Sequence, residues 1–373
     1  MNVLQINQSD ISGGAAIAAY RLHIGLLQNN IHSHLWVGDA KTNNSHVSVI
    51  PRRVWLENQL SRINRRFSLN YLNIVSSFEL PQYPQYQNAD LLHLHNLHTG
   101  YFNYLALPQL TQHKPTVWTL HDMWSLTGHC AYSYDCTRWQ IGCGQCPYPD
   151  EYPAITWDSS GWEWRIKQWV YDKSNLVIVT PSVWLKQQAE QSLLQRFPIY
   201  HIPNGLDTQV FQPLDPQQCR QVLGLPETGY VVLFGVVQFR HRRKGGDLLL
   251  EALAALPDRI KSATVLLMFG QGGEEIAEQV GIKGMHLGYV GNDRLKAIAY
   301  SAADLSILPT RLDNCPLGIL ESFACGTPVV SFAVGGVPEF VHPDKTGYLA
   351  SPEDAQELSR GMVEVSIALY LQF

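Results

Sequence analysis

The feature that most constrains the fold is an order of short apolar strand, loop and amphipathic helix that runs along the chain twice. Residues 3–6 read as a strand, 7–14 as a polar loop ending in Gly13-Gly14, and 15–28 as an Ala-rich helix. Further strands are expected at 33–37, 91–95, 116–120, 176–180 and 200–202, with helical patterns between most of them. The stretch Ile202-Pro203-Asn204-Gly205-Leu206-Asp207 then breaks the pattern with turn-forming residues. After it the alternation restarts, with strands at 230–237, 263–269, 285–287, 305–309 and 328–332 and helices at 247–256, 295–302 and 317–325. Alternating strands and helices predict parallel sheets covered on both faces. The fold class expected is therefore α/β, with two Rossmann-like doubly wound domains, 1–207 and 208–373. A length of 373 residues suits two domains. Ligands of such sheets sit beyond the carboxyl ends of the strands, and a cleft between the domains is the default site.

Composition excludes several classes. Hydrophobic residues make up 45%, too many for a disordered chain, while charged residues are 16% and the net charge is −5. A polycation that wraps nucleic acid is excluded on that balance. No apolar run reaches the length of a membrane-spanning helix. The N-terminus, Met1-Asn2-Val3-Leu4-Gln5-Ile6, reads as a first strand and not as a signal peptide. A cytoplasmic location is expected, with peripheral contact at the inner face of a membrane left open.

The richest stretch runs from Asp313 through Glu321 to Glu339. It holds two carboxylates eight positions apart, one in a loop and one inside a helix beginning near Pro316. A helix N-terminus offers free N–H groups and the positive end of a dipole, which suit a phosphate. Carboxylates beside it can accept hydrogen bonds from sugar hydroxyls. Taken alone, such a pair reads as a surface Asp and a helix Glu. Lys244 taken alone reads as a solvated charge. In company with Gly245, Asp313 and Glu321 it can neutralise a leaving diphosphate. The chain contains no Asp-x-Asp, the usual holder of a divalent ion on such a diphosphate.

The segment resembles the carboxylate-x7-Glu signature of retaining nucleotide-sugar glycosyltransferases with the GT-B fold, in the large family four (glycosyl transferases group 1). The resemblance extends over almost the whole chain. It includes Gly13-Gly14, Trp118-Thr-Leu-His121-Asp122, Ile202-Pro-Asn-Gly-Leu-Asp207, Arg243-Lys244-Gly245, Gly288-Tyr-Val290, Ala303-Asp304-Leu-Ser-Ile-Leu-Pro309 and Gly326-Thr-Pro-Val-Val330. The stretch His121-Asp-Met-Trp-Ser-Leu-Thr-Gly-His129-Cys130 is similar to the branch that builds bacterial exopolysaccharides of the colanic-acid type.

The resemblance implies a role for each matching residue. Glu321 would hold the nucleotide ribose. Asp313, where the family usually has Glu, would contact hydroxyls of the donor sugar. Lys244 would neutralise the diphosphate. The Arg usual six positions earlier is Gln238 here, so Arg240, Arg242 or Arg243 would supply that charge, Arg243 foremost. Tyr289 would meet the base, and the N–H groups of Leu317 and Gly318 the phosphates. His121 would face the transferred sugar, and Gly13-Gly14 would let backbone approach the phosphate or acceptor. The activity implied is metal-independent, retaining transfer from a UDP-, GDP- or ADP-linked sugar to a saccharide, free or lipid-linked, with no cofactor required for catalysis. Two other readings are a nucleotide-sugar epimerase on the same fold and a non-catalytic nucleotide-binding relative. The second is prompted by the ending Ser366-Ile-Ala-Leu-Tyr-Leu-Gln-Phe373, which does not resemble the family's terminal helices and leaves little room for a final helix pair.

Three clusters stand outside this scheme. Cys130, Cys136, Cys143 and Cys146 have the spacing Cys-x5-Cys-x6-Cys-x2-Cys. Cys-x2-Cys suits a tetrahedral zinc knuckle, and four thiolates would complete a closed structural site bracing an insertion at 128–150. His129 is a substitute ligand, and four thiols in a packed loop, reduced or disulfide-paired, are the competing reading. His93 and His95 alternate on a strand and share a face. With His98 and Asn96 they read as a polar cleft wall near the acceptor more readily than as a metal pair. Finally, Arg52, Arg53, Arg62, Arg65 and Arg66 interleave with Trp55, Leu56, Leu60, Ile63 and Phe67. Such a basic amphipathic helix either packs on its own domain with solvated charges or lies on an anionic membrane.

Overall fold

The computed structural model describes residues 1–239, 241–273, 275–343 and 345–370. The chain divides into two compact units, Met1–Gly205 and Leu206 onward. The first carries seven strands: β1 (Asn2–Ser9), β2 (His32–Asp39), β3 (Val47–Val49), β4 (Leu91–Leu94), β5 (Thr116–Thr119), β6 (Val177–Thr180) and β7 (Ile199–His201). Their spatial order is β3-β2-β1-β4-β5-β6-β7, and every pairing is parallel. The second carries β8 (Tyr230–Gln238), β9 (Thr264–Gln271), β10 (Lys283–His286), β11 (Leu305–Leu308), β12 (Val329–Phe332) and β13 (Gly347–Ala350). They are ordered β10-β9-β8-β11-β12-β13, again all parallel. Both sheets are doubly wound. The chain reverses its direction of travel across the sheet between β1 and β4 in one unit and between β8 and β11 in the other.

The core follows from the strand sequences. In β8, Val232 and Phe234 point to one face and pack with Leu249, Leu266 and Leu358. Val231 and Leu233 point to the other and pack with Leu267, Ala299 and Tyr300. A strand buried on both faces must be apolar throughout, which is why β8 and β9 read as continuous apolar runs. In the first unit Leu4, Ile6, Trp36, Leu92, Trp118 and Ile178 belong to one core.

Five helices matter below: α1 (Gly14–Gln28), α2 (Val54–Arg66), α3 (Ser160–Tyr171), α4 (Leu317–Ala324) and α5 (Ala355–Tyr370). The last is a single helix that runs to the end of the described residues. α5 inserts Leu358 and Met362 into the core of the second unit. Gly361 lets it lie against the Tyr348 ring, where a Cβ would come within 2.3 Å. Positions 371–373 lie outside the described residues.

Candidate active site

The loops leaving β8 and β11 meet at the switch point of the second sheet. β8 ends at Gln238, and Arg243-Lys244 sit in a short turn at Arg242–Lys244. β11 ends at Leu308, with Asp313 five residues on. The two loops are joined by backbone: Arg311 N–H and the Thr310 hydroxyl both donate to the Arg243 carbonyl, at 2.8 and 3.0 Å. Arg311 adds a two-pronged contact to Asp247, at 2.8 and 2.6 Å. Gly245 makes the close approach possible. Its φ is +69°, and a Cβ there would stand 1.8 Å from the Pro309 carbonyl oxygen.

Asp313 is the centre of this junction. It is buried, and one carboxylate oxygen, Oδ2, accepts from Arg243 Nη1 and from Lys244 Nζ, both at 2.7 Å. Arg243 Nη1 also donates to the Leu312 carbonyl at 2.9 Å. Burial alone would raise the Asp313 pKa. The Lys244 and Arg243 charges overcome it and hold the carboxyl well below the usual range. Lys244 is pulled below its ordinary value by burial and by the Arg243 charge, against the pull of Asp313. Two cations thus meet on one carboxylate oxygen. Behind Asp313, Gly336 N–H donates to its carbonyl at 3.0 Å, and a Cβ on Gly335 (φ +55°) would meet that carbonyl at 2.1 Å.

α4 begins beside this junction, with Pro316 at its cap position and Leu317 and Gly318 in the first turn. Glu321 lies one turn further in and is buried, its Oε2 3.4 Å from the Tyr300 hydroxyl. Gly318 leaves room for that hydroxyl, which would stand 3.1 Å from a Cβ at this position. The structure thus brings Arg243, Lys244 and Asp313 into direct contact. Leu317, Gly318 and Glu321 lie on the helix that follows. Tyr289 stands apart, in the loop after the outer strand β10 and half exposed. Arg240 lies outside the described residues. A cavity of about 480 Å³ opens next to the site, between Phe239, His241, Asp247 and Gln279, and is not lined by Arg243, Lys244, Asp313 or Glu321.

In the first unit, the residues at the switch point are Gly13-Gly14 after β1 and the histidines around β4. Gly13 has φ +93° with nothing within 4 Å of a Cβ, so the start of α1 is open there. His93 and His95 stack at 4.4 Å, as their alternation predicts. His95 Nε2 lies 2.9 Å from Gln5 Oε1, and His95 Nδ1 lies 3.1 Å from His121 Nε2. An amide oxygen can only accept, so His95 donates from Nε2 and its Nδ1 accepts from His121. Burial lowers the His121 pKa to about 4, with Asp122 acting against the shift. His98 contacts Asp122 at 2.9 Å. His95, Asn96 and His98 are buried among such partners. Gln5, on the apolar strand β1, is a member of this relay that the sequence reading missed, and a polar residue inside an apolar strand was its one visible signal.

The zinc expectation is also corrected. Cys130, Cys136, Cys143 and Cys146 do gather around one small cavity with His129. Among the described residues, however, no three His, Cys, Asp or Glu side chains are placed to hold a metal ion. Hydrogen bonds organise the loop instead. Gly128 N–H donates to Cys143 Sγ at 3.2 Å, His129 Nε2 lies 3.2 Å from Cys146 Sγ, and Cys146 N–H donates to Asp158 at 2.9 Å. Burial pushes the Cys143 thiol up to about 11, so it stays protonated. None of the four is in a disulfide.

Two doubly wound units, each with its polar residues at the switch point of its sheet, make up the GT-B architecture. Residues 12–210 match Glycosyltransferase Family 4 and residues 216–366 match Glycosyl transferases group 1; the chain belongs to family 4 and is a glycosyltransferase. It is 28% identical to WcaC of Escherichia coli K12, a protein named for glycosyl transfer in colanic acid biosynthesis, over 99% of this chain and 92% of that one. Among solved structures it resembles sucrose-phosphate synthase from Thermosynechococcus elongatus, with TM-score 0.69 and 19% identity over 98% of this chain and 90% of the other. It also resembles Anabaena HepE in complex with UDP-glucose, with TM-score 0.68 and 18% identity over 100% and 91% of the two chains.

Proposed function

We propose that this chain transfers a sugar from a nucleoside-diphosphate donor to a saccharide hydroxyl, with retention of configuration and without a metal, in the assembly of an exopolysaccharide or cell-surface glycan. The acceptor saccharide is free or lipid-linked. The observation that carries the reading is the meeting of Arg243 and Lys244 on a single oxygen of Asp313, beside the start of α4. Two adjacent cations suit a leaving diphosphate. Arg243 and Lys244 turn toward the phosphates, and the N–H groups of Leu317 and Gly318 complete the anion site. Glu321 accepts from the ribose hydroxyls and Tyr289 meets the base. Asp313 fixes the two cations and offers its carboxylate to the donor sugar. Neutral His121, set by His95 and Gln5, takes part in recognising the sugar, and Gly13-Gly14 leave space for phosphate or acceptor.

In the reaction the bond from the anomeric carbon to the β-phosphate oxygen breaks. The acceptor oxygen bonds to the same face of that carbon, and its proton passes to the departing phosphate. The UDP-glucose in HepE and the colanic acid pathway of WcaC favour a UDP-sugar and a polysaccharide acceptor. The test is incubation with UDP-, GDP- and ADP-hexoses and a mixture of bacterial oligosaccharides in EDTA. The expected result is release of one nucleoside diphosphate with a product of retained anomeric configuration. Epimerised donor without transfer, or no turnover of any donor, contradicts the proposal.

A further inference from the structure

A line of buried polar side chains crosses the first unit beside β1. Leu4 and Ile6 of β1 point into the core of that unit, and Gln5 between them points to the opposite face. On α1, Ala16, Ala19 and His23 fall on one buried stripe at helical spacing. Two of these three side chains are methyl groups, and the third, His23, meets Ser33 on β2. His23 Nδ1 lies 2.8 Å from the Ser33 hydroxyl oxygen, and Gln5 Nε2 donates to the same oxygen at 3.0 Å. From the other end of its amide, Gln5 Oε1 accepts from His95 Nε2 at 2.9 Å, and His95 Nδ1 lies 3.1 Å from His121 Nε2. Five side chains thus run without a break from α1 to the loop after β5.

The line has one direction. Burial lowers the His23 pKa to about 4, and the His46 and His34 charges add to the shift. His95 and His121 are lowered by burial as well. At neutral pH each of the three rings therefore has one N–H and one acceptor nitrogen. The Gln5 amide sets the order. Its N–H is given to the Ser33 oxygen, so the Ser33 hydroxyl proton goes to His23 Nδ1. Its oxygen takes a proton from His95 Nε2, so His95 Nδ1 accepts and His121 donates from Nε2. Turning the amide over would reverse every bond in the line at once. The proton positions of His23 and His121 are tied together, although the two residues belong to different elements.

We propose that Gln5, Ser33 and His23 are positioning residues, a one-way hydrogen-bond line that holds His121 as its Nε2–H tautomer. The tautomer of an imidazole is set by the partner of its ring nitrogens, and this partner is itself set three residues away. His93, stacked on His95 at 4.4 Å and 2.8 Å from the Thr119 hydroxyl, keeps the His95 ring in place. Packing alone does not account for the line. Buried polar groups cost stability unless every one is bonded. The far end, His23 Nε2, is buried without a hydrogen-bond partner among the described residues. Apolar side chains at Gln5, Ser33 and His23 would avoid that cost. The tautomer follows from the line itself, and its effect on turnover rests on the part given to His121 in recognising the sugar.

The test is NMR of the full chain with isotopically labelled histidine nitrogens, in which long-range proton–nitrogen spectra at neutral pH show which ring nitrogen carries the proton. His23→Gln and His121→Gln assign the signals. Wild type is expected to show His121, His95 and His23 all protonated at Nε2. Ser33→Ala frees the Gln5 amide to turn, and Gln5→Leu removes it. Both variants are expected to give His121 a second form protonated at Nδ1. They should also lower turnover of UDP-, GDP- and ADP-hexoses by about tenfold, the worth of one hydrogen bond, with KM unchanged. Ser33→Thr keeps the hydroxyl and restores the single form. Melting curves and calorimetry with UDP, GDP and ADP confirm that the variants are folded with the nucleotide site intact. Wild-type His121 protonated at Nδ1, or folded Ser33→Ala and Gln5→Leu chains whose His121 keeps the wild-type form, overturns the proposal. A shifted tautomer with unchanged turnover upholds the line and contradicts the part of His121 in the proposed reaction.

Discussion

Asp313 carries two cations on one oxygen, and that geometry makes its removal more damaging than loss of a single contact. In Asp313→Ala, Lys244 and Arg243 are left facing each other without their counter-charge. Breaking a buried pair in this way costs about 3–5 kcal/mol, so urea unfolding should show a lower midpoint and turnover should be almost abolished. Asp313→Asn keeps the shape and loses the charge, and is expected to retain more stability than activity. The buried histidines make a separate prediction about pH. Burial lowers His93 and His121 to about 4 and His95 well below its ordinary value. The folded chain therefore binds these protons less readily than the unfolded chain. The stabilisation is complete above about pH 6.5 and is lost as pH falls from there toward 4, by at most about 1.4 kcal/mol per unit for each histidine. Thermal melts from pH 7 to 4 should show this decline. A melting temperature that stays flat over that range would contradict it.

At the scale of elements, the site depends on how closely the loops after β8 and β11 approach. Gly245→Ala places a Cβ against the Pro309 carbonyl at positive φ. It is expected to cost about 1–3 kcal/mol or more and to lower activity by displacing Lys244. Gly205→Ala, where a Cβ would meet nothing within 4 Å, is expected to stay within about 0.5 kcal/mol of wild type. Denaturant midpoints of the two variants compare them directly. The elements differ in how legible they were. The strands β8, β9 and β11 were readable because strands buried on both faces must be apolar throughout. β3 and β13 were missed because they are short strands at sheet edges, where partial exposure relaxes the pattern. α5 was missed because the expected ending was judged by resemblance and not by the periodicity that places Leu358 and Met362 inward. α3 shows the opposite limit. Nothing local in the sequence singles out Trp162 and Trp169, and only the structure shows that they are exposed.

For the whole molecule, the order of strands explains why distant sequence segments act together. Both sheets reverse at a central strand pair, and the residues proposed to carry the chemistry lie at or after those strands: Gly13-Gly14 and the histidines in one unit, Arg243-Lys244 and Asp313 in the other. The doubly wound class was legible from the alternation alone. The carboxylate pair was legible only in its spacing, because the ion cluster joins residues 243, 244 and 313, which no local pattern connects. The four cysteines were legible as a cluster but not as a metal site, since spacing says where thiols lie along the chain and not whether their placement suits a metal ion. The central claim is a metal-free nucleoside-diphosphate site in the second unit. Isothermal titration of the full chain with UDP, GDP and ADP in EDTA, for wild type, Lys244→Ala and Glu321→Ala, tests it most directly. The account predicts that one nucleotide binds wild type without metal, and that each variant weakens it by about tenfold or more. Binding that requires added magnesium, or that survives both substitutions unchanged, would contradict it.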